Sequence, residues 1–557
     1  MPRAEVVAAW VDGRTQLSRV VHASPLRIQT VPSACSKRAG AAHICIANLG
    51  GGFVTGDHVA VEVDVRAGAT LHVGTQASAK VYKGTAGQRI SANVGAGALL
   101  VYAPDATVPF ALSSFDAETA YALDAQASLV CVEWVQGGRT LNGERWAFDK
   151  YQARTTWTAN GKLLAKDAVL LDARSRKHFD LGNARYDHAV TVGVFGARGS
   201  AVAERFDRVA RLLAQRRGAR TAPAPAPAGD AAPAGELGDA FLATLRGGVV
   251  LGCSRDGSEV LFTARLVATF SDDVYRILHA CLAPLRSDLG FEPYDDRIHA
   301  TTSLAKARQP EFDEPFSTPE SAAPSTATFD AASFGLMLQL SDSGLPTGGF
   351  VDSSGLESAA QLGLVRPHDT VALSQFVSAV AASHLQLQAP FAEAAHDAFD
   401  KPDASSDLAL LDGELESLLQ TLQQARLASK RRAKAICRVA EELLSAAGQG
   451  ARPPRIDHGV VAFGALAARL GCVLPLPRAA MRHVLYFTVV RDAFSAAVRL
   501  NLVGPLRAVG LQAALLRGGA PQVAGGGATV PDAASNSPLL DAAHAVHAIL
   551  DMRLFQS

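Results

Sequence analysis

Three short segments recur at a fixed spacing in the first quarter of the chain. Ala67-Gly68-Ala69-Thr70-Leu71, Ala96-Gly97-Ala98-Leu99-Leu100 and Ala125-Gln126-Ala127-Ser128-Leu129 each follow the last by 29 residues. Val65, Val94 and Leu123 hold one place before them, and Val73, Tyr102 and Cys131 one place after. A fixed period of this size means stacked supersecondary units, here the coils of a short β-solenoid or layered β fold. Leading into the first copy, Val59, Val61, Val63 and Val65 alternate with Ala60, Glu62, Asp64 and Arg66, the period of a half-buried strand. Equivalent positions in stacked coils form columns that rise about 4.8 Å per rung. Thr75-Gln76, Pro104-Asp105 and Glu133-Trp134 end the three apolar cores and would share one edge. Two readings stand: a hard-oxygen path for a cation, or strand ends that are simply polar.

The rest of the chain changes character twice. Asn160-Gly161, between TTWTA and KLLAK, predicts a type I′ hairpin. Helical AVAERFDRVARLLAQRR breaks at the Ala/Pro tract RTAPAPAPAGDAAPAGELGD. Apolar strands (GGVVLGC, EVLFTARLVATF) and a helix (DDVYRILHACLAPLR) then resume. PEFDEPFSTPESAAPSTATFD reads as linker. Beyond it the period becomes 3.6, with a stripe through Leu415, Leu418, Leu419 and Leu422 continued by Ile436, Val439 and Leu443. The expected organisation is a multidomain α and β protein. A β-rich, layered or β-helix-like domain spans 15–286 with an insertion at about 218–237; a linker covers 287–332 and an all-helical domain 333–557.

Composition excludes several classes. The 557 residues are too many for one ordinary core. The 53 basic and 53 acidic residues cancel, so no nucleic-acid or membrane partner is expected. MPRAEVVAAWVDGRTQ lacks an apolar leader core, and no uncharged apolar run reaches membrane-spanning length. Seven scattered cysteines without a CxxC suit a reducing compartment, and the expected location is the cytoplasm.

Chemical motifs are scarce. The only Gly-Lys, Gly161-Lys162, lies in a hairpin turn and completes no phosphate loop, and HExxH and GxSxG are absent. Any nucleotide hydrolysis would come from a partner. His43 and Cys45 share a strand face near His58 and His72, and His544 and His547 stand three apart, but neither group has zinc spacing. Arg426, Lys430, Arg431, Arg432, Lys434 and Arg438 crowd one helix, either as a solvated face or as a surface for an anionic partner. Glu133 and Glu144 would serve a solenoid-based carbohydrate hydrolase if they faced one another. In LMLQLSDSGLPTGGFVDSSGLESAAQLG, Ser354 and Glu357 have capping-box spacing, and Gly348-Gly349 allow a tight return.

That last stretch resembles the signature of the urease accessory protein UreF family. DHGVVAFGALAARLG, FSAAVRLNLVGPLRAVGLQ and HAILDMRLFQS resemble its later motifs in order, covering about 333–557. NLGGGFVTGDHVAVEVDVRAGATLHVGTQASAKVYKG, VYAPDATVPFALSSF and GGRTLNGERWAF resemble the partner family, UreD (also UreH), over about 15–286. The resemblance implies a UreD–UreF fusion and a non-catalytic scaffold. It would dock on apo-urease, recruit the nickel-carrying GTPase UreG and help deliver nickel, binding no cofactor tightly. A generic adaptor is the bland alternative.

Position by position, Gly51, Gly52, Gly56 and Asp57 match the UreD Gly-Gly…Gly-Asp element, and Thr75 and Lys80 its Thr…Lys strand. Asp105 matches its Pro-Asp corner, and Gly138, Arg139 and Glu144 its Gly-Arg…Glu element. Asp57, Asp105, Glu133 and Glu144 are the candidate acidic path for nickel. Pro346, Gly348, Gly349, Phe350, Gly355, Leu356 and Glu357 match the UreF signature as partner-binding candidates. Arg553, Leu554, Phe555 and Ser557 match its tail, expected to contact the UreD half within the chain. The resemblance also implies that the fusion pairs as a homodimer. Asp352 and Arg432-Ala433 depart from the family pattern, which has His or Tyr at the first and Gln-Gly at the second.

Overall fold

The protein is described from a computed structural model. It describes all residues except 32–35, 37, 173–185, 219–236, 256–260, 302–330, 348, 400, 402, 447–454, 472–477, 521–528, 551–552 and 557. The Ala/Pro tract lies outside the described residues. The chain forms two compact units, one of Met1–Asp180, Ala184–Glu311 and Asp541–Ile549, the other built on Phe312–Leu540 and Leu550–Ser557.

In the first unit the 29-residue period is the strand register itself. Each rung has two strands: His58–Val65 and Thr70–Thr75, then Gly84–Val94 and Leu99–Tyr102, then Ser113–Leu123 and Ser128–Gln136. Leu99 pairs in parallel with Thr70 on one side and Ser128 on the other. Val94 pairs with Val65 and Leu123 in the same way. The three corners repeat one bond: Ala69, Ala98 and Ala127 donate their N–H to the carbonyls of Arg66, Gly95 and Asp124. Gly68 and Gly97 turn the first two corners with φ of +74° and +66°, where a Cβ would be strained. At the third, the Asp124 carboxylate accepts from the Gln126 N–H, a side-chain turn.

Among the described residues, the first strand of every rung joins a seven-stranded sheet and the second an eleven-stranded sheet. Antiparallel strands extend both. Lys150–Ala159 and Lys162–Asp172 form the expected hairpin, with Asn160 and Gly161 both left-handed. His188–Phe195, Leu261–Ala268 and Val249–Arg255 continue the larger sheet. Its outer face carries Val130, Val132, Val192 and Val194, covered by Ser200–Gly218 (Val202, Phe206, Val209) and Ser271–Leu282 (Val274, Ile277). Each such buried side chain contributes about 1.5–3 kcal/mol.

One expectation is corrected in this unit, and one contact was not expected. Residues 287–301, read as the start of the linker, include helices Arg286–Leu289 and Asp295–Thr301, and Tyr294 and Arg297 reach back to Pro104 and Asp105. Their polarity signalled ion pairing rather than disorder. From the far end of the chain, residues 541–549 lie over Val249–Arg255. A Cβ on Gly252 would stand 2.4 Å from the Ala542 carbonyl oxygen and 2.6 Å from Ala545 Cβ, so only glycine lets the backbones approach.

Among the described residues the regular elements of the second unit are helices and short 3-10 turns, with an isolated bridge at Ser535. Gly464, in Gly459–Gly471, lies against the backbone of Ala392 in Ala389–Ala398. The leucine stripe crosses a break: Ala404–Leu419 buries Leu415, Leu418 and Leu419, and a new helix, Gln423–Ala446, buries Ile436 and Val439, with Leu444 rather than Leu443 inside. Gly252→Val is expected to unseat residues 541–549 and lower stability by about 1–3 kcal/mol. Thermal unfolding and protease cleavage near 541–549 would check this.

Candidate functional site

The interior between the two sheets is incompletely filled. Ala117, Thr119 and Ala153 on one sheet and Thr75, Tyr102 and Glu133 on the other are among the walls of a cavity of about 160 Å³. Sheets stand about 10 Å apart, so small facing residues leave a gap that the backbone cannot close. One rim is the Asn48–Phe53 loop, where Gly50 and Gly51 have positive φ. Gly52 is pressed so closely on Lys80 that a Cβ would meet its carbonyl oxygen at 2.4 Å.

The four candidate acids meet different fates. Glu133 is on the cavity wall, with Thr155 of the opposite sheet donating to its carboxylate. Burial pushes its carboxyl up to about 7; the Thr155 hydrogen bond opposes the shift, Asp167 adds to it and Arg265 opposes it. Asp105 also lines the cavity, but its charge is taken. Arg297 donates at 2.7 Å, Tyr275 Oη at 2.9 Å, and Thr75 Oγ1 accepts from the Asp105 N–H at 2.8 Å. It clasps the rungs to the helix Asp295–Thr301. Asp57 and Glu144 do not line the cavity, which corrects the four-acid path. Asp57 accepts from the Val54 N–H and closes its own turn, while Glu144 is ion-paired with Arg139 and accepts from the Ala111 N–H at 3.3 Å. Glu144 thus does not join Glu133 on the cavity wall.

A polar row unforeseen from the sequence runs across the strands of the larger sheet from Glu133. Thr191 is its cross-strand neighbour, and Arg265 is that of Thr191. Arg265 donates to Asp167 of the opposite sheet at 2.5 Å and stands 3.9 Å from Asp541. The signal was a lone charge in the apolar strand LFTARLVA. On the outer side of the larger sheet, His43 and His72 meet at 4.5 Å with Phe291 stacked on His43. Burial pushes the His43 ring down to about 4 and that of His72 well below its usual range. Among the described residues no three His, Cys, Asp or Glu side chains gather to hold a metal ion.

In the helical unit the signature loop turns inward. Pro346 is exposed, but Gly355, Leu356 and Glu357 are buried, so these three are corrected as outward contacts. Gly348 and the Phe350 side chain lie outside the described residues; Gly349 sits against the Asp492 carboxylate. The capping box is also corrected. Ser354 is left-handed and Gly355 is the N-cap without a side-chain bond. Glu357 instead accepts from the Leu554 and Phe555 N–H groups at 2.5 and 3.0 Å. The tail therefore packs in the helical unit, with Arg499 over the Phe555 ring, while Leu554 and Arg553 stay exposed. The chain segment found within the β unit is residues 541–549. Ser557 lies outside the described residues.

The basic helix is largely neutralised. Arg426 and Lys430 pair with Glu416, and Arg431 and Arg432 with buried Asp352. The two departures from the family pattern thus face one another as an ion pair. Burial opposes ionisation of Glu416, but hydrogen bonds from His458, Arg426 and Lys430 hold its carboxyl well below its usual range.

Fold and site together define a two-part chain: a β-solenoid-like unit with a polar interior and a helical unit. The UreD urease accessory protein family model matches residues 2–300, and the UreF model matches 368–516. A urease accessory protein UreD of Sorangium cellulosum is 35% identical over 293 residues, 52% of this chain and 82% of the relative. Another, of an Anaeromyxobacter species, is 37% identical over 212 residues, 37% and 70% of the two chains. Urease accessory protein F of Oryza sativa subsp. indica is 34% identical over 227 residues, 39% and 82%. The chain belongs to the UreD family in its first part and the UreF family in its second, a UreD–UreF fusion with a part in urease maturation. Among the described residues no helix is long and apolar enough to cross a membrane.

Two outcomes check the site. The raised Glu133 carboxyl contributes stability that is full below about pH 4.5 and lost as pH rises through about 7. Glu133→Gln removes this dependence, so the difference in unfolding free energy should change across that window by on the order of 3 kcal/mol. A constant difference would refute it. Glu357→Ala leaves the two tail amides without their carboxylate and should cost about 2 kcal/mol. Thermal unfolding and faster hydrogen exchange at residues 554–555 would register it.

Proposed function

We propose that the protein is a non-catalytic cytoplasmic scaffold for urease maturation. It docks on apo-urease, recruits a UreG-type GTPase, and passes nickel through the interior of its β unit. Nickel is cargo and is bound only in transit. The observation that carries this reading is the cavity between the sheets with Glu133 on its wall. One carboxylate with threonine hydroxyls and water suits a divalent ion that must enter and leave. The fusion supports the same role, since tethering UreD to UreF raises the effective concentration of their contact without a new interface. A homodimer of the fusion would present two such paths.

The test is reconstitution of urease activity from apo-urease, nickel and a UreG-type GTPase, with and without this chain. Glu133→Ala is expected to slow activation by roughly tenfold, the scale of a lost contact around a metal ion. Activation independent of the chain would overturn the scaffold reading. Wild-type activation by a folded Glu133→Ala protein would overturn the nickel path alone.

A further inference from the structure

The strand Ala42–Asn48 lies beside the first rung, paired in parallel with Thr70–Thr75 of the larger sheet. Ile44 and Ile46, opposite Val73 and Thr75, are buried between the sheets. Strand alternation puts Asn48 on that same inner face, and it lines the cavity where the rim loop begins. Among the described residues neither its Oδ1 nor its Nδ2 has a hydrogen-bond partner, although both atoms are buried. Folded proteins pair nearly all such atoms with protein, water or ligand. A leucine would fill the same space without stranding a donor and an acceptor. Packing therefore does not explain the amide, which faces whatever enters the cavity.

We infer that Asn48 is a second contact for the ion in transit, one that holds the ion's water shell rather than the ion itself. The inference rests on the reading that nickel crosses the β unit. Two dimensions support it. Strand order places two strands between that of Asn48 and that of Glu133, so the two positions stand three strand spacings, about 14 Å, apart. No one ion touches both. The cavity of about 160 Å³ has room for several waters at roughly 10–15 Å³ each, so an ion can pass with part of its shell. Water bound to a cation is a strong donor, and the Oδ1 of Asn48 accepts from it without a charge that would hold the ion back. Its Nδ2 donates to water alongside. The amide thus receives a hydrated ion at the rim, and the carboxylate of Glu133 takes up a coordination position farther in, with Thr75 between them.

The experiment compares Asn48→Leu and Asn48→Ser in the full chain, by thermal unfolding and by urease activation at limiting nickel. Asn48→Leu is expected to melt at the wild-type temperature or above it, since it removes two unpaired polar atoms. It should nevertheless slow activation by about tenfold, the scale of an outer contact to a metal ion. Asn48→Ser leaves a hydroxyl and room for water, and should stay within about twofold of wild type. Stability kept or gained while activation falls is a combination that a purely structural amide does not give. Wild-type activation by Asn48→Leu overturns the inference. A lower melting temperature for that variant does so too, because the amide would then be bonded within the protein. A Ser variant as slow as the Leu variant is equally fatal. The two readings fail separately. Unimpaired activation by a folded Glu133→Ala protein removes the transit path, whereas slowing there without slowing by Asn48→Leu removes only the Asn48 contact.

Discussion

Parallel strands stacked in register leave no freedom in the length of a coil. Among the three repeated rungs the spacing is 29 residues in both strands, so each side chain meets its equivalent in the next rung and the core face stays inward. That constraint accounts for most of the β unit. It aligns Val65, Val94 and Leu123 inside one sheet and Thr70, Leu99 and Ser128 inside the other. It also brings Thr75 of the first rung to the backbone of Asp105 at the second, at 2.8 Å. Small residues on facing strands then repeat across rungs, and the space they leave is continuous rather than scattered.

The same stacking sets two acids to opposite tasks. Asp105 ends its rung beside the helical cover, where Arg297 and Tyr275 fully occupy its carboxylate. Glu133 lies within its strand facing the cavity, and Thr155 of the opposite sheet donates to it across the gap. Its proton is held more tightly because burial penalises the anion more than one threonine can repay.

What could be read from the sequence was whatever is local or periodic. The repeat located three rungs, Asn160-Gly161 located a hairpin, and matching offsets picked out Asp105 and Glu133. Properties that depend on a distant partner were not legible. Asp57 and Glu144 looked equivalent to the cavity acids until their own neighbours, Val54 and Arg139, were known. Ser354 and Glu357 had the spacing of a cap, yet the carboxylate turned to amides nearly two hundred positions on. Arg265 was visible as an oddity in an apolar strand, but its meaning required Asp167 and Asp541.

The end of the chain shows why such long-range partners matter in a fusion. Residues 541–549 are part of the β unit, and the residues just after them are held by Glu357 and Arg499 in the helical unit. A glycine at 252 and a buried carboxylate at 357 make those two attachments by different physics, one steric and one electrostatic. Neither can be replaced by simple hydrophobic burial: a side chain at 252 would push the backbone away, and an apolar residue at 357 would strand two amide donors. In separate UreD and UreF chains the Gly252 contact would have to form by encounter, whereas in one chain it is intramolecular.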